Sequence, residues 1–237
     1  MMNNIDEIIC LSLDISKERR EHFNKYFSNI PYRFHIVKKH KNGGVYGCFQ
    51  SHISIIKNAY KRNLQTILIF EDDAKPTSSF TNENLEEVNN FLKSNENYDC
   101  FYLGCFPIGA KNKNFMITPE NAISKNIYKF NPLATHAIIY NRRGMKKVLK
   151  NYKNFIGLCH YDIYLSRYAN LNSYCFLPIL IDQNFNFEYN NEALNLFELV
   201  MRKSYPIIEL FKINYNISFI LFKIYLFINK YVFGFSI

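Results

Sequence analysis

Residues 66–70 read Thr-Ile-Leu-Ile-Phe and stop at three consecutive carboxylates, Glu71, Asp72 and Asp73, with Pro76 close behind. A run this apolar needs cover on both faces, which marks an interior strand of an α/β sheet. Three carboxylates directly after it cannot be buried unpaired, because each would carry a desolvation penalty. They also repel one another unless a cation or a proton intervenes. Either the strand end is solvated, with Asp72 or Asp73 capping a turn, or it holds a hard cation. Mg2+ and Mn2+ take carboxylate oxygens and share their shell with substrate phosphates. In an open α/β sheet the carboxyl edge of the strands is where ligands bind.

The rest of the chain supports that class. Glu7–Leu13 and Tyr32–Val37 read as strands, with a helical pattern over 14–27 between them and Ser16 as its N-cap. A polar, glycine-containing loop over 38–47 precedes a helix over 48–60. A helix over 82–93, a strand over 98–103, irregular polar chain over 106–125, a strand over 135–140, helices over 145–152 and 161–169, and a strand signal over 173–181 follow. This predicts one α/β domain over 1–203, with a mixed, mostly parallel central sheet.

The remainder, 204–237, is dominated by Ile, Leu, Phe and Tyr, with Lys212, Lys223 and Lys230 interspersed. Lys223 sits near the middle of the apolar stretch 217–235, which favours an interfacial helix over a membrane span. A helix packed on the domain is the alternative.

The formal net charge is +9, with no Lys/Arg run long enough for a nucleic-acid arm, so anionic small molecules or an anionic lipid surface are expected rather than nucleic acid. Six scattered cysteines form no CxxC pair and imply neither a zinc finger nor a disulfide framework. The opening Met-Met-Asn-Asn-Ile-Asp-Glu lacks the features of a signal peptide. The expected location is the cytoplasm, peripheral on the inner face of a membrane.

Where a diphosphate departs from a substrate, negative charge builds on it, and a divalent cation held by carboxylates stabilises it. Side chains alternate along an extended segment, so Glu71 and Asp73 should point one way and Asp72 the other. Asp73 is assigned to the metal, and Glu71 to the ribose or a metal-bound water. Asp72 could serve either role if the chain turns sharply.

Six segments together resemble glycosyltransferase family 25, the bacterial lipooligosaccharide glycosyltransferases and collagen galactosyltransferase-like domains. They are IICLSLDISKERREHF (8–23), GVYGCFQSHISIIKNA (44–59) with Gly47, Cys48, Ser51 and His52, ILIFEDDAKP (67–76), YDCFYLG (98–104), THAIIYNRRGMKKVL (135–149) and HYDIYLSRY (160–168). The resemblance spans roughly residues 5 to 183. It implies a GT-A-like fold, a nucleoside-diphosphate sugar donor and a divalent metal, Mn2+ or Mg2+, with Arg19 or Arg20 at the family's arginine position and Asp162 at its helix aspartate. Gln183 fits a later motif, but Glu188 stands where a serine is expected, and no histidine follows His160.

Asp162 is the first choice for the general base that an inverting transfer requires, with Glu188 and His160 in reserve. Ser51 and His52, read as a helix start, could bind donor phosphates at a helix N-terminus, or be a cap and a packed histidine. Asp14 could contact base or ribose, or form an Asx turn. Asp99 and His136 read as structural, and Cys48 as a packing thiol. The leading expectation is transfer of a hexose, galactose first, to a lipooligosaccharide or other glycolipid acceptor. Hydroxylysine of a collagen-like protein is the alternative acceptor, and a non-catalytic sugar-nucleotide-binding module the alternative class.

Overall fold

The computed structural model describes residues 4–109, 117 and 119–184. They belong to one unit, Met1–Phe187; Glu188 and the apolar tail lie outside the described residues. Among the described residues no helix is long and apolar enough to cross a membrane.

Strands β1 (Glu7–Leu13), β2 (Tyr32–Val37), β3 (Thr66–Glu71), β5 (Cys100–Gly109), β6 (Ile127–Lys129), β7 (Pro132–Asn141) and β8 (Ser173–Phe176) form one sheet in the order β2-β1-β3-β7-β5-β8-β6. Strands β2, β1 and β3 are parallel, β7 runs antiparallel to both β3 and β5, and β8 is parallel to β5. With β6 antiparallel to β8, five of the seven strands share a direction, as the sequence predicts. A two-stranded ribbon of β4 (Ala74–Pro76) and β9 (Ile181–Gln183) stands beside the sheet.

Alternation along the strands divides the core. Ile8, Cys10, Leu68 and Phe70 face one side, where they cluster with Phe23 and Phe27 of α1 (Lys17–Phe27) and Leu85, Val88 and Leu92 of α3 (Asn82–Ser94). The Phe27 ring stacks on Phe70 at 5.1 Å. Ile9, Ile67 and Ile69 are equally buried, but alternate to the opposite face. On the α2 side, Phe49 of α2 (Gly44–Lys61) packs on Tyr161 and Tyr164 of α5 (Tyr161–Arg167).

Helix α4 (Arg142–Asn151) follows β7 without a loop, capped by the Asn141 side chain, which accepts from the Gly144 N–H at 2.7 Å. It is pinned by Asp99, a wholly buried carboxylate that accepts from Arg143 Nε at 2.6 Å, Lys147 Nζ at 2.5 Å and the Asn172 N–H at 2.7 Å. The structural reading of Asp99 therefore holds. Burial alone would raise its pKa, but the hydrogen bonds from Lys147, Asn172 and Arg143 outweigh burial and hold it below the usual carboxylate value.

A depressed pKa stabilises the fold above the unfolded-state value of about 4 and is lost as pH falls through the folded value. Asp99→Ala should cost roughly 2–3 kcal/mol at neutral pH, a figure limited by the partial exposure of Arg143 and Lys147. The gap in urea midpoint between wild type and variant should narrow below about pH 4; a gap independent of pH would contradict this account.

Candidate functional site

Because β7 runs against its neighbours, its amino end lies beside the carboxyl end of β3, on the same sheet edge as the carboxyl end of β1. Asp14, the Glu71–Asp73 segment and residues 132–136 are thereby gathered at one edge of the sheet. The Glu71 Oε1 accepts from Thr135 Oγ1 at 2.6 Å and lies 3.1 Å from His52 Nε2. Burial pushes the Glu71 carboxyl up, but the hydrogen bond and charge of His52, together with Thr135, prevail and hold it near 2. His52 is fully buried and stacks on Tyr161 at 4.5 Å.

Two expectations are corrected at this point. Helix α2 begins at Gly44, so Ser51 and His52 lie two turns inside it and neither stands at a helix N-terminus. Gly43, with φ of 91°, supplies the left-handed entry that lets the helix start inside the stretch read as loop. The Ser51 hydroxyl is engaged within the helix by Gly47 O at 2.7 Å, and His52 reaches the site through Glu71.

The second correction concerns alternation. Strand β3 ends at Glu71, and residues 72 and 73 form a turn. A period of two holds only while the chain is extended. Asp73 therefore swings away from Glu71, and both aspartates meet Arg19 of α1: Nη2 is 2.5 Å from Asp72 Oδ1 and 2.9 Å from Asp73 Oδ2. Asp72 and Asp73 are only 4% and 1% exposed. Burial drives the Asp72 carboxyl up to about 6, against the opposing pull of Arg19 and Ser12 and with further push from Asp73 and Glu71. Asp72 and Asp73 thus present two buried carboxylates to one guanidinium.

Arg19, rather than Arg20, faces the acidic turn. Arg20 ties down the β1–α1 connection, donating to Ser12 Oγ at 3.0 Å, Asp14 O at 3.0 Å and Leu13 O. The Asp14 side chain accepts from the adjacent Ile15 N–H at 2.9 Å, one residue short of an Asx turn, while the Ser16 N–H donates to Leu13 O at 3.0 Å. The acidic turn is further braced by the Asn184 N–H, which donates to Asp73 O at 2.7 Å.

Asp162, in the first turn of α5, accepts from the Ala134 N–H at 3.1 Å and the Ile163 N–H at 2.7 Å. Burial raises its pKa, those two bonds oppose the rise, and the charge of Glu71 adds to it. A raised carboxyl pKa moves toward what a general base needs near neutrality. His160 is the N-cap residue of α5. Glu188 lies outside the described residues.

Thr135 carries no sequence signal, since a threonine inside an apolar strand is ordinary; only the antiparallel placement of β7 brings it to Glu71. His136 is packed, its Nε2 3.1 Å from Ile181 O, as expected. Cys48 is not a packed thiol: it reaches solvent. A cavity of about 580 Å3 lies away from the acidic turn, among Arg33, His35, Ser54, Ile55, Asn58 and Arg62.

Residues 39–171, more than half of the chain, match the family described as glycosyltransferase family 25 (LPS biosynthesis protein). The matched span holds α2, the acidic turn and Asp162, and leaves Asp14 and Arg19 outside it. No curated protein matches. Among solved structures, the chain is similar to A197 from STIV (13% identity, TM-score 0.45, covering 71% of this chain and 81% of that one). It is also similar to a glycosyltransferase involved in glycosylation of the major capsid of PBCV-1 (13%, 0.40, 68% and 76%). A third is a mutant Drosophila β-1,4-galactosyltransferase 7 in complex with manganese, UDP-Gal and xylobiose (10%, 0.38, 81% and 79%).

Proposed function

We propose that this chain, which belongs to glycosyltransferase family 25, transfers a hexose, galactose first, from a nucleoside-diphosphate sugar to a lipooligosaccharide acceptor with inversion. The observation that carries this reading is the gathering of Glu71, Asp72, Asp73, Arg19 and Asp162 at one sheet edge. Asp73 and Asp72 would hold Mn2+ or Mg2+, which when bound offsets the charge growing on the departing diphosphate, while Glu71 turns to His52 and Thr135. Arg19 supplies a second positive charge for the same oxygens. Asp162 takes the proton of the acceptor hydroxyl as its oxygen bonds to the anomeric carbon and the bond to the diphosphate breaks. His52 and Thr135 keep the Glu71 carboxylate ionised and oriented. The apolar, lysine-bearing tail supports work at the inner face of a membrane, where a glycolipid acceptor would lie.

One observation favours a second reading, a sugar-nucleotide-binding module without turnover: Arg19 already bridges Asp72 and Asp73 as a cation would. Full-length protein should be warmed with a panel of nucleotide sugars, with and without Mn2+, and then assayed for nucleoside-diphosphate release. A metal-dependent rise in Tm for at least one donor, followed by turnover, is the expected result. Stabilisation without turnover, with and without candidate glycolipid acceptors, selects the module; no stabilisation by any donor removes both.

A further inference from the structure

The Cys48 and His52 side chains are four residues apart on α2, so they share one face of the helix. Glu71 meets that face from the end of β3. Among the described residues, these are the group of three whose donor atoms converge, all within 4.8 Å of one another. Neither aspartate of the acidic turn belongs to it.

We propose that Cys48, His52 and Glu71 form a second cation site, distinct in chemistry from the acidic turn and selective for a borderline-soft divalent ion of the Zn2+ class. Donor type argues for this: one sulfur, one imidazole and one carboxylate suit Zn2+ and discriminate against Mg2+. Spacing argues for it too. Bonds of about 2.0–2.2 Å at tetrahedral angles place two N/O ligands of Zn2+ roughly 3.3–3.5 Å apart. The His52 nitrogen and Glu71 oxygen already stand 3.1 Å apart, so an ion can replace the proton they share.

The His52 Nδ1 is buried and has no hydrogen-bond partner among the described residues, so none of them supplies a second bond that would resist a small reorientation of the ring. The Glu71 Oε1 takes both His52 and Thr135, while no described residue hydrogen-bonds Oε2. Cys48 gives the ion an entry path from solvent.

Binding is balanced by proton release. The Cys48 thiol carries a proton that must leave when the sulfur binds the ion. Coordination makes the sulfur–metal bond and sends that proton to the buffer.

The site shares Glu71 and His52 with the proposed transfer site, but its test reads metal binding rather than activity. Full-length protein titrated with Co2+ should develop sulfur-to-cobalt charge-transfer absorption at one equivalent, reversed by Zn2+ and untouched by a large excess of Mg2+. Cys48→Ala, at a solvent-reaching position that need not disturb folding, should weaken Co2+ binding by about 100-fold or more and remove the band. Cys159→Ala, which alters the other thiol that is not fully buried, should leave it intact. Absence of a charge-transfer band in the wild type overturns the proposal, as does a band that survives in Cys48→Ala.

Discussion

Asp73→Asn should leave the chain folded and reduce donor turnover by about 1000-fold or more. The substitution keeps the volume of a side chain that is 1% exposed and removes its charge. With Asp73 neutral, the turn loses one of the two carboxylates that meet Arg19, and with it an anionic oxygen that a divalent cation would take. The expected signature is joint: loss of turnover, loss of Mn2+-dependent donor stabilisation, and an unchanged circular dichroism spectrum. Turnover above about a tenth of wild type, under conditions where donor stabilisation persists, would move the chemistry away from the acidic turn.

Gly144→Ala should unfold the chain more readily, lowering stability by about 3 kcal/mol or more. Helix propensity alone predicts the opposite, since alanine is favoured over glycine inside a helix by about 1 kcal/mol. The tertiary structure reverses the sign. A Cβ on Gly144 would lie under 3.0 Å from the carbonyl oxygen and carbon of Asp99, both backbone atoms. That carbonyl accepts from the Asn141 N–H at 3.2 Å, and the Asp99 N–H donates to Asn172 O at 2.8 Å, so the peptide is held on both sides. Relief would require α4 to lift from the start of β5 and break the Arg143 and Lys147 contacts to Asp99. At roughly 2–4 °C per kcal/mol for a domain of this size, Tm should fall by about 6–12 °C. A variant with Tm at or above wild type would show that the α4–β5 approach is looser than described.

The long, strongly patterned elements were legible in the sequence. Strands β1, β2 and β3, with helix α3, fall where periodicity puts them, because each has a continuous apolar run or a full helical stripe. The short strands β4 and β6 were not legible: three residues carry no period, and their hydrogen bonds come from β9 and β8, distant in sequence. The strand signal over 173–181 hid two strands, β8 and β9, which belong to different sheets and are separated by the cis Leu177–Pro178 peptide.

The acidic turn divides in the same way. That three carboxylates end a buried strand follows from residues 66–73 alone, because apolarity forces burial and burial forces the carboxylates to an edge. The family follows from segments in order along the chain. Which cation or hydrogen-bond donor each carboxylate meets was decided only by the tertiary structure. The turn at 72 and 73 sends Asp73 to Arg19 with Asp72, and β7, inserted antiparallel, sends Thr135 to Glu71 opposite His52. Those partners come from α1, α2 and β7, and their approach depends on strand order and direction, which no local pattern encodes.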